Sequence, residues 1–171
     1  QSQYSDFART RKEKLNPQRV AELVDFWRET LSGCPASLDL PTDFPRQSVQ
    51  DSPAGHITFE LPTDLFRSLR KLSSDEGVSL FVTFLAAFQT LLMRFTGQND
   101  IVVGTPFVGR ESLGLFPAIG YFINMLALRT NISGDPEFRS ILKAAQKTFA
   151  NALEHRELPF QKLVERLNPD R

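Results

Sequence analysis

Cysteine and histidine are nearly absent from this sequence. A single cysteine, Cys34, allows no internal disulfide and fits a reducing compartment. The two histidines, His56 and His155, stand far apart, so no zinc-ligand spacing exists and no metal site is expected. An excess of one charge is missing too: 20 basic and 20 acidic residues balance to zero. That balance forces no basic face and argues against nucleic acid as a partner. Nor is there a long hydrophobic run. The most apolar stretch, residues 80–92, is broken by Thr83, Gln89 and Thr90 and falls short of the roughly 20 apolar residues that a membrane span needs. The opening residues, QSQYSDFARTRKEK, hold no apolar signal core. The expectation is a cytoplasmic chain that neither enters a membrane nor binds nucleic acid. Walker, GxGxxG and GxSxG motifs are absent, which removes the commonest phosphate-binding and nucleophile-elbow chemistries.

What is abundant is phenylalanine, with 15 residues against two tyrosines and one tryptophan. Buried surfaces should therefore be aromatic and dry, with few polar handles. Residues 3–31 read as helix with one interruption. Asn16 can cap the restart, Pro17 suits the first helical position, and Val20, Leu23, Val24, Trp27 and Leu31 recur at helical spacing up to Gly33. Residues 34–54 carry four prolines and form an extended connection that Leu38, Leu40 and Phe44 could tack to the surface. Residues 55–61 alternate, with Ile57, Phe59 and Leu61 on one side and a solvated His56 on the other, as in a half-exposed strand.

Two helices follow. Residues 63–73 have Leu65, Phe66, Leu69 and Leu72 as an inner stripe. Residues 80–95, capped by Ser79 and closed by Gly97, are apolar on more than one face and predict a core helix buried from several sides. Residues 101–103 read as a strand covered on both faces, and residues 121–132 alternate as a second strand. Between them lies a Gly- and Pro-punctuated loop with the charge pair Arg110–Glu111, too long for a hairpin turn and too apolar for a linker. Asn124, polar inside a strand, requires a partner, either a neighbouring loop or a substrate. Helices over 136–153 and 160–167 complete the chain. This order predicts an α/β (α+β sandwich) fold, a mixed sheet with packed helices. No acid–base or nucleophilic constellation emerges from spacing alone.

Five segments, in order, carry a resemblance. YSDFA at 4–8 resembles a Y-x-D-Y-A motif. FWRETLSGCPASLDLPTDFPR at 26–46 resembles a W…L…P..L.LP.D.PRP passage, and FLAAFQTLLMRFTGQNDIVVGTPFVGR at 84–110 follows its pattern almost position by position. IGYFINMLALR at 119–129 resembles I-G-x-F-V-N-T, with Ile123 for Val and Met125 for Thr. HRELPFQKLVERLNPDR at 155–171 resembles H-x-x-x-P-F-E-x-L-V, with Gln161 for Glu. Together they resemble the condensation domain of a nonribosomal peptide synthetase, whose two lobes are related to chloramphenicol acetyltransferase and other CoA-dependent acyltransferases. The family's HHxxxDG signature is absent, so residues 1–171 are expected to be a partial domain, most of the C-terminal lobe, with no catalytic residue of its own.

The resemblance implies amide formation between donor acyl and acceptor aminoacyl thioesters on carrier proteins. The phosphopantetheine arms serve as tethers and no cofactor is bound directly. It implies further that Gly104, Thr105, Pro106, Gly109, Arg110, Gly120 and Asn124 contribute to the substrate tunnel or lobe junction. Glu111, His155, Pro159 and Phe160 would have structural roles. Expected partners are peptidyl and aminoacyl carrier proteins, the N-terminal condensation lobe, an adjacent adenylation domain and, through an exposed lobe face, a second copy. A non-catalytic scaffold module and a CoA-dependent acyltransferase lobe stand as alternatives.

Overall fold

The computed structural model describes residues 3–44, 55–110 and 118–167. The N-terminal helical stretch divides as its punctuation predicts, into α1 (Tyr4–Lys14) and α2 (Pro17–Leu31). Asn16 Oδ1 accepts from Arg19 N–H at 2.8 Å, and Pro17 opens the first turn, where its missing N–H costs nothing. α2 buries Leu23, Val24 and Trp27. The connection after it is docked at residues 37–39. Leu38 packs on the core, and the Gln98 side chain accepts from Asp39 N–H at 2.9 Å while donating to Ser37 O at 3.1 Å. Leu40 and Phe44 are exposed, and residues 45–54 of the expected connection lie outside the described residues.

α3 (Thr63–Asp75) and α4 (Leu80–Thr96) follow. Ser79 Oγ accepts from Val82 N–H, and Gly97, at φ 69°, closes α4 in the left-handed conformation that favours glycine. β1 (Asp100–Val108) and β2 (Ile123–Asn131) form a two-stranded antiparallel sheet, with Asp100 opposite Asn131 and Val108 opposite Ile123. α5 (Phe138–Glu154) packs on β2 and α4, and α6 (Phe160–Leu167) packs on α2. One core joins α2, α4, both strands, α5 and α6 through Leu23, Trp27, Val82, Leu85, Ile101, Leu128, Leu142 and Leu163.

Four expectations change. The sheet among the described residues is antiparallel, not mixed. β1 runs five residues further than residues 101–103 suggest, so Gly104, Thr105 and Pro106 are strand, not loop. Pro106 is tolerated because of its register. Phe122 O accepts from Gly109 N–H at 2.9 Å, and Asn99 O from Ile132 N–H at 2.7 Å, which makes the odd positions of β1 the hydrogen-bonded ones. The nitrogen of Pro106 therefore points away from β2 and no ladder bond is lost. Residues 55–61 are extended but pair with no strand among the described residues, and Ile57 and Phe59 are 88% and 78% exposed. Finally, α4 is buried on one side only. Val82, Leu85, Ala86, Gln89 and Leu92 face the core, whereas Phe81, Phe84, Phe88, Leu91 and Phe95 form an exposed stripe, and Leu65 and Phe66 of α3 are exposed as well.

Candidate functional site

The register of β1 and β2 sorts the candidate residues onto two faces, because partners across the ladder point the same way. On one face lie Ile101, Val103, Thr105 and Phe107 with Asn124, Leu126, Leu128 and Thr130. This is the core side: Ile101, Leu126, Leu128 and Thr130 are all buried. On the other lie Val102, Gly104, Pro106 and Val108 with Ile123, Met125, Ala127 and Arg129. Here Val108 and Ile123 are exposed and Met125 is half-buried. The surface from Gly104 to Ile123 is apolar and carries no titratable side chain. The structure thus brings Gly104 and Pro106 together on the exposed sheet face and places Thr105 and Asn124 on its reverse.

Asn124 is committed to a turn. Its Nδ2 donates to Arg156 O at 2.9 Å and Leu158 O at 2.8 Å, and its Oδ1 accepts from Phe160 N–H at 3.0 Å. Those bonds fix the amide orientation and anchor the HRELPF turn, where Pro159 O accepts from Leu163 N–H at 3.0 Å to start α6. His155 stacks on Phe26 with its ring 3.4 Å away and 4° from parallel. Its Nδ1 lies 2.8 Å from Asn151 O, and its backbone oxygen accepts from Trp27 Nε1 at 3.2 Å. His155 joins the end of α5 to α2; Phe160 is partly exposed at the head of α6.

The far end of the hairpin is closed by aromatics from α1. Phe122 packs edge-on against Tyr4 at 5.3 Å and at a tilt against Phe7 at 4.9 Å. A Cβ on Gly120 would sit 2.3 Å from Tyr4 Cδ2, so the bare face of this glycine is filled by the Tyr4 ring. Arg110 donates from Nη1 to Ala118 O at 2.9 Å and lies over the Phe122 ring at 4.4 Å. It ties down the two ends of the intervening segment, and Glu111, within that segment, lies outside the described residues. Gly109, Arg110 and Gly120 therefore lie together at this end of the hairpin.

At the opposite end, Arg129 makes a clamp that no local pattern announced. Its guanidinium engages both Asp100 carboxylate oxygens, at 2.7–3.2 Å, and donates to Thr30 O and Ser32 O at 2.8 and 2.7 Å. The hydrogen bond that Arg129 donates to Asp100 raises the Arg129 pKa above its ordinary value, against the lowering effect of burial. A polar recess of about 360 Å³ lies elsewhere, between the α1–α2 junction and Glu157. In it Arg19 is already bonded to Glu157 at 3.0 Å and Glu22 at 3.3 Å, and the bond to Glu157 is the main reason its pKa is raised. No group of three His, Cys, Asp or Glu side chains that could hold a metal occurs among the described residues. No single described helix is long and apolar enough to cross a membrane.

The sequence matches the family model of the condensation domain over residues 1–171. The chain belongs to the condensation domain family. It is 46% identical over 169 residues to one of the proteins that make up the linear gramicidin synthase of Brevibacillus parabrevis, covering 99% of this chain and 3% of that one. Among solved structures it resembles the SgcC5 protein of Streptomyces globisporus, with a TM-score of 0.84 and 35% identity over 98% of this chain and 38% of that one. It also resembles AB3403, a four-domain nonribosomal peptide synthetase, with a TM-score of 0.87 and 28% identity over 93% of this chain and 12% of that one. The chain thus spans about 3% of the curated relative and 38% of the SgcC5 chain. The fold class expected from the resemblance, helices packed on a sheet as in condensation domains, is the one found, with the sheet antiparallel rather than mixed. The surface residues that local sequence patterns leave unassigned are Val108, Ile123 and Met125, which share the outer sheet face with Gly104 and Pro106. Their signal is the alternation of β2, which is informative only because β1 extends to Val108.

Proposed function

We propose that this condensation-domain chain supplies one wall of a two-lobed enzyme that joins a donor acyl thioester to an acceptor aminoacyl thioester. The observation that carries the reading is the open sheet face of Gly104, Pro106, Val108, Ile123 and Met125, apolar, free of titratable groups and backed by the core. In the reaction the acceptor amine attacks the donor carbonyl, the C–N bond forms, the C–S bond breaks, and the amine proton ends on the released thiol. Such a step needs a base near the amine and donors at the oxyanion. This sequence has no HHxxxDG and its two histidines are separate, so those groups come from the complementary lobe. A dry wall contributes differently: it excludes the water that would hydrolyse the thioester. Arg110, Gly109 and Gly120 hold its rim, and Asn124 and Thr105 support it from behind.

The phosphopantetheine arms of carrier proteins bring both substrates, an adenylation domain lies nearby in the same synthetase, and the assembly works in the cytoplasm. The exposed apolar residues of α3 and α4 favour burial against further protein, which supports a companion lobe. The test uses donor and acceptor carrier proteins loaded with aminoacyl groups. This chain alone should give no dipeptidyl product, and adding a condensation lobe that bears HHxxxDG should restore it. Product from this chain alone would overturn the assignment.

A further inference from the structure

We propose that Met125, left uncovered by Gly104, sets the size limit on the side chain of the thioester-bound acyl group that passes over the open sheet face. The inference rests on the reading of that face as a wall of the reaction path. Gly104 is the informative neighbour. Among the described residues the positive-φ glycines are Gly33, Gly77, Gly97 and Gly134, so Gly104 is not required by its backbone conformation. Packing does not require it either, since a Cβ there would lie 3.5 Å from Met125 Cε, an ordinary contact. A glycine inside a strand weakens the strand and marks a place where something approaches closely. Here its consequence is that no Cβ at position 104 covers the methyl group of the half-buried Met125. Met125 sits opposite Pro106 and two residues from Ile123, at the centre of the apolar surface.

An unbranched thioether with three rotatable bonds can swing aside for a bulky apolar group or fill the space beside a small one. No polar side chain on this surface offers a hydrogen bond, so discrimination here is by volume. An apolar pocket separates substrates differing by one methylene by about 10- to 200-fold. The motif that this segment resembles carries threonine at the position of Met125, a shorter and stiffer side chain. Methionine therefore gives this domain a longer but yielding stop.

The experiment uses the complete condensation domain containing this chain, with carrier proteins loaded with glycyl, leucyl or phenylalanyl thioesters. Met125→Phe should lower kcat/KM for the phenylalanyl substrate about 10-fold or more relative to the glycyl one, and Met125→Ala should shift the ratio the other way. The ratio between substrates within one variant does not depend on how much of that variant is folded. Val108→Trp, on the same face but off the Met125 position, should depress all three substrates. If Val108→Trp changes none of them, the wall reading fails and this inference with it. If Val108→Trp depresses all three while both Met125 variants leave the ratios unchanged, the wall stands and the size-limit role of Met125 is overturned.

Discussion

Replacing Asn124 by alanine tests whether this residue belongs to the architecture or to the substrate. Its amide makes two bonds to carbonyls, at 2.9 and 2.8 Å, and one to an N–H at 3.0 Å, all within the Arg156–Phe160 turn. A hydrogen bond of this kind contributes a net ~0.5–1.5 kcal/mol, and partners left unpaired in a partly buried turn push the loss upward. Asn124→Ala should therefore cost about 2–4 kcal/mol. For a chain of this length that lowers the melting temperature by about 5–15 °C. Denaturant unfolding measures the first quantity and calorimetry the second. Hydrogen exchange adds a local signature, because the Phe160 amide should lose protection ahead of the helix cores. Asn124→Asp keeps the acceptor for Phe160 but sets a carboxylate against two carbonyl oxygens, so it should be at least as damaging. Unfolding of the alanine variant within about 0.5 kcal/mol of the unsubstituted chain would refute the reasoning. In the complete condensation domain, a lost turnover with an unchanged melting point would hand Asn124 back to the substrate.

Gly120→Ala places a Cβ 2.3 Å from Tyr4 Cδ2 and should cost about 1–3 kcal/mol, read by denaturant unfolding. Tyr4→Ala should remove most of that extra cost, and strict additivity of the pair would contradict the contact. Arg129→Lys keeps the charge but loses the fork shared by Asp100, Thr30 and Ser32, and should cost about 1–3 kcal/mol. A guanidinium whose pKa is raised by folding contributes stability that is fully present below its unfolded pKa and lost only as pH rises through the folded one. For Arg129 both lie in the strongly alkaline range, so the loss should be constant between about pH 6 and 9 in unfolding experiments. Gln89→Leu should be neutral or stabilising in thermal melts, because Oε1 is buried without a partner among the described residues while Nε2 makes one 3.2 Å bond to Leu128 O. Phe88→Ser with Phe95→Ser should reduce binding of a hydrophobic dye to the isolated chain, since both side chains lie in the exposed α4 stripe.

Where local chemistry decides the outcome, the sequence was readable. Asn16-Pro17, Ser79 and Gly97 mark helix ends by capping groups that act within four residues, and the apolar stripes of α2 and α5 point inward as their spacing demands. Where the outcome depends on register, it was not. Gly104 and Pro106 look like loop punctuation until pairing with β2 shows that the Pro106 nitrogen faces away from its partner. The alternation of residues 55–61 correctly marks an extended segment but cannot say whether a neighbouring strand is present. The two-sided apolarity of α4 does not distinguish a helix enclosed by its own lobe from one with a face left open. Asn124 was conspicuous as a polar residue in an apolar run, yet the turn that satisfies it begins 32 residues along the chain. Tyr4 against Gly120, Phe26 on His155 and Arg129 with Thr30 are long-range pairings, beyond any periodic pattern.

The Arg129 clamp has a consequence for the order of events during synthesis. Its acceptors on the N-terminal side, Thr30 and Ser32, lie 99 and 97 residues earlier. A ribosome adds roughly 5–20 residues per second, so the carboxyl end of α2 waits about 5–20 s for the guanidinium that secures it. Over that interval Leu23 and Trp27, like the inward face of α4, have no hairpin to pack on. Closing so long a loop must precede the contacts that reward it. The nascent chain is therefore most open to chaperone capture, or to pairing with a neighbouring nascent chain, in the window that ends when β2 is complete.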